Sequence, residues 1–306
     1  MEEFQTYSPE EVILSNLEEL FQRGMHIGEQ ERAHLRELAH EIASDVADNQ
    51  TLLTALPDHR LQSQPPDEQD PRGAALTRQI SNRQKALLCI ELGQKIPSPE
   101  TFLQDLFPPS EDLSEFARNR ISYQKNSYTE QAFLRFSKFL QGETRASYAQ
   151  SFPSVCEDVF NGVCEYCILP IENSSEGRLI SFARLITRYG LKISATCDVK
   201  IGEEKATRFA LLRKHPEPIR ELEALANLLE FSCPLTKNQQ AEDLLAAANI
   251  CGLIPRYINF HPTDRNNVEE FHGVFQADTE NLFAYLLYLI MEFPTANLIG
   301  FYPNIS

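Results

Sequence analysis

Cys167-Ile168-Leu169-Pro170-Ile171-Glu172-Asn173-Ser174-Ser175-Glu176-Gly177 starts apolar, then delivers a carboxylate, an amide and two hydroxyls before a glycine. A strand buried on both faces of a parallel sheet reads this way, with its polar tip at the carboxyl end. Open α/β sheets bind ligands at that edge. The run therefore predicts a strand over residues 165–170, a candidate site just beyond it, and a helix over 175–189 closed by Gly190. The structural alternative for Glu172 and Asn173 is a polar strand end that caps this helix.

The flanking sequence keeps the same rhythm. Strands are expected at 121–124, 192–199 and 207–212. Helices are expected at 128–140, with Ala132, Phe133 and Phe136 inward, and at 154–160, ended by Asn161-Gly162. Such alternation implies a mostly parallel sheet with helical crossovers. From residue 225 onward the order becomes βαββαβ. The strands are 228–233, 256–260, 270–278 and 297–302, and the helices 239–249 and 280–293. Residues 1–118 read as helical. Ser8-Pro9-Glu10-Glu11 is a helix start, Leu35, Leu38, Ile42 and Val46 share one helix face, and residues 57–73 form a polar linker before a helix over 74–92. The expected class is a multidomain α+β and α/β protein: a helical domain at 1–118, an α/β domain at 119–215 and a βαββαβ domain at 225–306.

Composition narrows the function classes. The chain has 306 residues, 42% hydrophobic and 24% charged, as a globular protein with real cores requires. A net charge of −16 disfavours nonspecific binding to nucleic acid or to an anionic membrane. Seven cysteines lie in apolar runs, which fits buried thiols in a reducing cytoplasm. Cys164 and Cys167 sit three apart, and on a strand their side chains face opposite sides, so no metal site is expected there. No cofactor is expected either. The N-terminus is acidic and unlike a signal peptide, and the longest apolar run, 282–293, is too short to span a bilayer.

Pro170-Ile-Glu-Asn-Ser-Ser-Glu-Gly177 resembles the signature of the prephenate dehydratase family, whose members remove water and carbon dioxide from prephenate to give phenylpyruvate. Ile121-Ser122-Tyr123-Gln124 with Tyr128-Thr129-Glu130-Gln131-Ala132 is similar to that family's first strand and helix, and Thr207-Arg208-Phe209 to its most diagnostic short motif. The C-terminal βαββαβ segment, ending in Leu298-Ile299-Gly300-Phe301-Tyr302-Pro303, resembles an ACT domain, a module that binds amino acids where two copies pair. The resemblance implies Thr207, Asn173 and Glu172 as catalytic residues. It implies Ser174, Arg208, Phe209, Ser127 and Thr129 around the substrate. In the ACT-like part it implies Leu235, Asn259 and His261 around a ligand, and a homodimer.

The sequence also departs from that family. Only thirty residues separate Gly177 from Thr207, where the family inserts a second lobe with a Ser-His-Pro-Gln-Ala motif; neither is present. Lys125-Asn126-Ser127 replaces a glycine turn, and Lys205 replaces an asparagine. In the ACT-like part, Pro234-Leu235-Thr236-Lys237-Asn238 and Asn259-Phe260-His261-Pro262 replace the family's ligand-binding runs. A substrate held between two lobes would lose one wall, and orientation alone contributes about 7–11 kcal/mol to a catalysed step. The expectation is a cytoplasmic relative with lost or weakened catalysis and a binding or regulatory role. The alternatives are a working dehydratase, a carbon–oxygen lyase whose missing wall comes from the N-terminal helices or a partner, and an amino-acid sensor. A chorismate mutase is a further alternative for the first domain, but Arg32, Arg36, Arg78, Arg83 and Lys85 fit its pattern of converging cations only when forced, and a structural or lobe-replacing role is the expectation there.

Overall fold

The computed structural model describes residues 28–40, 71–95, 113–140, 142–202, 206–215, 227–236, 239–262, 269–277 and 279–305. The chain forms two compact units, Met1–Ile96 and Pro97–Ser306. The expected helix start at Ser8, the positions Ile42 and Val46, and the linker up to residue 70 lie outside the described residues.

In the first unit, α1 covers residues 28–40 and α2 covers Pro71–Lys95. Leu35 and Ala39 on α1 are buried one turn apart, as are Leu88 and Leu92 on α2, so each helix presents one apolar stripe. Arg36 Nε meets Glu91 Oε1 at 3.4 Å. Among the described residues no helix is long and apolar enough to cross a membrane.

The second unit is built on ten strands. They are β1 (Arg120–Tyr123), β2 (Arg145–Tyr148), β3 (Tyr166–Asn173), β4 (Gly177–Arg178), β5 (Lys192–Val199), β6 (Thr207–Arg213), β7 (Asn227–Pro234), β8 (Ile254–Pro262), β9 (Glu269–Ala277) and β10 (Asn297–Ile305). The helices are α3 (Ser127–Phe139), α4 (Phe152–Phe160), α5 (Ile180–Arg188), α6 (Ala241–Ile250) and α7 (Thr279–Glu292). One continuous sheet runs β2-β1-β3-β6-β5-β10-β7-β9-β8, with β4 hydrogen-bonded to the end of β3.

The sheet is mixed, which corrects the mostly parallel expectation. Strand β6 lies between β3 and β5 and is antiparallel to both. The short link from β5 to β6 forces this, because a few residues can join only antiparallel neighbours. The helix expected from Ser175 is also shorter: α5 starts at Ile180. Residues 173–177 make a hairpin turn instead. Asn173 Oδ1 accepts hydrogen bonds from the backbone N–H groups of Ser175 (3.0 Å) and Glu176 (2.6 Å), and Gly177 takes φ +70°. An asparagine that bonds its own backbone, followed by a glycine in the left-handed region, is chemistry for reversing the chain.

Side-chain alternation along β3 builds two cores. Tyr166 and Ile168 join Ala132 and Phe136 of α3 on one face. Cys167, Leu169 and Ile171 join α4 and α5 residues such as Val155, Val159 and Ile186 on the other. In β7 to β10 the strand order is β10-β7-β9-β8 with α6 and α7, an antiparallel βαββαβ arrangement. Phe231, Phe275 and Tyr285 pack together there. The join between the two halves is β10 running parallel to β5, with Asn304 opposite Thr196.

Gly300 lets the two strands approach. A Cβ there would lie 2.5 Å from the Ile193 carbonyl oxygen. The opposite face of β7 carries a buried charge, Glu230, at 1% exposure. Its carboxylate accepts hydrogen bonds from Arg178 of β4, from His272 Nε2 of β9 at 2.9 Å and from the Tyr302 hydroxyl of β10. Burial alone would push the Glu230 carboxyl up. The Arg178 guanidinium, with His272 and Tyr302, overcomes this and holds it at about 2.

Two outcomes test this account of the fold. Gly300→Ala is expected to cost about 1–3 kcal/mol by forcing β10 away from β5, read as a lower urea midpoint; an unchanged midpoint would contradict the close approach. Glu230→Gln leaves Arg178 buried without its counter-charge and is expected to cost about 3–5 kcal/mol at neutral pH. Because the folded carboxyl lies below its unfolded value, its stabilisation is present above about pH 4.5 and fades as pH falls toward about 2. Urea midpoints of variant and parent should therefore converge over that range; a gap independent of pH would contradict the ion pair.

Candidate functional site

The carboxyl ends of β3 and β6 bring most of the candidate residues together. Asn173 lies opposite Thr207, and Glu172 opposite Arg208. Thr207 is also opposite Val199 of β5, so it sits within the ladder between two neighbours. Asn173, Thr207 and Glu172 are half-buried, and Ser174 is exposed with its N–H bonded to the Ala206 carbonyl at 3.0 Å. The Asn173 side-chain oxygen also accepts the Ser175 hydroxyl at 3.0 Å, so it is committed to the hairpin turn.

Arg208 is held by two carboxylates. Its Nε and Nη2 meet Asp198 Oδ1 and Oδ2 at 2.8 and 3.2 Å, and its Nη1 meets Glu172 Oε2 at 3.0 Å. Asn304 Nδ2 donates to Asp198 Oδ2 at 3.1 Å. Asp198 is partly desolvated, yet Arg208 and Asn304 hold its carboxyl below the usual range. A forked guanidinium–carboxylate pair of this kind is geometrically specific. These three side chains together carry one net negative charge.

The remaining candidates are placed elsewhere. Phe209 is buried in the core on the α3 face. Ser127 is exposed at the start of α3. Thr129 is buried, and its hydroxyl accepts from the Asn126 N–H at 3.1 Å and donates to the Gln124 carbonyl at 2.7 Å. Asn126 Oδ1 accepts in return from the Thr129 N–H at 2.9 Å, which closes a capping box. The loop without glycine thus starts a helix through its asparagine. Leu235 lies beside β9, with its N–H bonded to Glu269 O at 2.9 Å. Asn259 bonds the Tyr257 hydroxyl at 2.9 Å and the Phe260 N–H at 2.8 Å. The side chain of His261 lies outside what is described, and its backbone is opposite Glu270, while His272 is opposite Asn259.

Cavities open at several places among the described residues of this unit. One of about 580 Å³ is lined by α5 residues, Ile171, Arg178, Glu230, Ser232, His272 and Ile299. A second, of about 360 Å³, is lined by Glu172, Arg178, Arg208, Tyr257, Tyr302 and Asn304. The third, of about 260 Å³, lies at the other end of β3 beside Glu165 and Arg213. Thr207 and Asn173 line none of them. Arg178 borders the first two, and its guanidinium also lies 5.5 Å from the Tyr257 ring centroid.

Sequence reasoning missed Arg178, Glu230, Tyr302 and Asp198. One signal was available: in Leu228-Leu229-Glu230-Phe231-Ser232-Cys233 a carboxylate interrupts an apolar strand, and such a residue is rarely buried unless paired. The seven cysteines are buried and free, with Cys197 and Cys251 pushed up to about 12 by burial. Among the described residues no three His, Cys, Asp or Glu side chains are grouped to hold a metal ion.

Comparison with known proteins follows this geometry. Residues 123–203 match the family model described as prephenate dehydratase. No curated protein matches. The fold is similar to that of prephenate dehydratase from Streptococcus mutans, with a TM-score of 0.51 and 19% identity over 61% of this chain and 99% of that one. Weaker likenesses are to prephenate dehydratase from Arthrobacter aurescens in complex with L-Phe (TM-score 0.49, 14% identity, 60% and 90% covered) and to GqqA, described as a quorum-quenching acylase (TM-score 0.47, 18% identity, 61% and 95% covered). The matched segment holds β3, its signature hairpin and β5, and it is through this segment that the chain resembles the prephenate dehydratase family.

Proposed function

We propose that dehydration of prephenate is lost or greatly weakened in this relative, and that the chain acts as a binding or regulatory protein of aromatic amino acid metabolism. The observation that carries this reading is Arg208. Among the described residues it is the cation adjacent to Thr207 in the chain, and it is already bound to Glu172 and Asp198. Prephenate is a dicarboxylate. Presented to a site with a net negative trio, it would have to displace one carboxylate from Arg208 and would meet repulsion from the other. Asn173 is committed to its turn, and Thr207 lines none of the three cavities described above. The segment between Gly177 and Thr207 holds one helix and one long strand, which supports a single-lobed reading. A threonine hydroxyl without an enclosing wall is a weak acid facing water.

The ACT-like reading of residues 225–306 belongs to the same proposal. Its support is the strand order β10-β7-β9-β8 with α6 and α7 in contact, the Tyr285 hydroxyl donating to the Leu244 carbonyl at 3.2 Å. Strand β8 is an edge, and Ile254, Ile258 and Phe260 stand exposed on it. An exposed apolar edge is a template for pairing with another strand. A second copy of this chain, joined through β8, is the partner this edge fits.

Two measurements test the proposal. Purified protein mixed with prephenate is expected to form no phenylpyruvate above background, and Thr207→Ala to change nothing; turnover that this substitution abolishes would overturn the reading. The parent is expected to have a dimer's mass by light scattering, and Ile258→Lys to have a monomer's. A parent that is monomeric at all concentrations would remove the pairing.

A further inference from the structure

The cavity of about 580 Å³ between α5 and the face formed by β7, β9 and β10 is built differently from the Thr207 region. We infer that it is a binding site for a small carboxylate with an apolar body. This goes beyond the reading above and holds whether or not Thr207 is catalytic.

Three observations converge on that chemistry. The first is charge. The whole chain is strongly acidic at −16, yet Arg178, Arg184 and Arg188 all line this cavity. Arg178 is neutralised by Glu230. Arg184 and Arg188 are exposed, one helical turn apart, and neither has a carboxylate partner among the described residues; Arg188 leans on the Tyr189 ring at 5.5 Å. Like charges at that spacing destabilise a helix unless an anion lies between them. Two guanidinium groups on one turn match one carboxylate.

The second is an unpartnered polar atom. Ser232 is 5% exposed and lines the cavity, and its hydroxyl has no hydrogen-bond partner. Its neighbours on this face, Glu230 and His272, are bonded to each other. Buried hydroxyls are normally satisfied, and a polar group on a ligand would satisfy this one. The third is the wall. Ile180, Ala183, Ile186 and Ile299 supply apolar surface, and Ile180 is 47% exposed at the opening. A volume of about 580 Å³ falls in the range of small-molecule sites. The carboxylate would lie against α5 and the apolar body against the isoleucines. Glu270, also on the lining, would repel a second negative charge, which favours a monoanion.

Isothermal titration of the full chain tests the site with two probes that share one body, 3-phenylpropionate and phenethylamine. The carboxylate is expected to bind at millimolar concentration or better, and the amine at least about tenfold more weakly. Arg184→Gln lies on the surface, where it should leave folding intact, and is expected to weaken 3-phenylpropionate about tenfold. Ser232→Ala is expected to weaken it about fivefold through loss of a hydrogen bond, since a hydroxyl-to-methyl change at this position is nearly isosteric. No heat with 3-phenylpropionate, equal binding of the amine, or affinity unchanged in both variants would each overturn the proposal. Failure here would leave the prephenate assay untouched, so the two readings fail separately.

Discussion

Arg178 and Glu230 meet in the interior of the second unit, and the position of the signature hairpin follows from that contact. A carboxylate buried alone in a strand would abandon its charge. This one accepts from a guanidinium, an imidazole and a phenol, which come from β4, β9 and β10. Replacing such a cluster with apolar residues of the same shape need not weaken a protein, because desolvation of the ions offsets much of their attraction. Its effect is geometric. Only one placement of the two-residue strand β4 brings Arg178 onto Glu230, so the hairpin after β3 is pinned to the βαββαβ half of the sheet. The two larger cavities lie on either side of that pin.

The same arrangement redirects the family's signature. Asn173 and Gly177 make a turn, and Arg178 after them makes an anchor. Beside them Glu172 and Asp198 both hold Arg208, so the guanidinium is engaged and the trio keeps one net negative charge. The unpartnered Ser232 hydroxyl on β7 and the Arg184 and Arg188 guanidinium groups on α5 line a different cavity.

Much of the fold was legible in the sequence. Strand β5 was expected at 192–199 and found there, because its apolar run and flanking Gly190 bound it on both sides. The βαββαβ order was readable because apolar strand runs such as 228–233 and 297–302 alternate with apolar helical runs such as 280–293. Other features were hidden for physical reasons. The four residues of β2, Arg145-Ala146-Ser147-Tyr148, have no apolar alternation because the strand is an exposed edge. The hairpin at Asn173–Gly177 was read as a helix start, because Ser175 and Glu176 also suit a helix N-terminus, and only the Asn173–backbone bonds distinguish the two. In the site, motif residues Asn173, Thr207, Glu172 and Arg208 came together as neighbouring strands require. Their occupation by Asp198, which lies ten residues from Arg208 across a hairpin, could not be read from the motif.

A double-mutant cycle across the anchor is the most direct measurement of whether these two charges determine the arrangement. Arg178→Met, Glu230→Gln and the double variant would be unfolded in urea at neutral pH. Each single change should be costly, and the double change should cost well under their sum, with a coupling of at least about 2 kcal/mol. Strictly additive losses would mean that the two side chains do not depend on each other, and that the hairpin is held by something else.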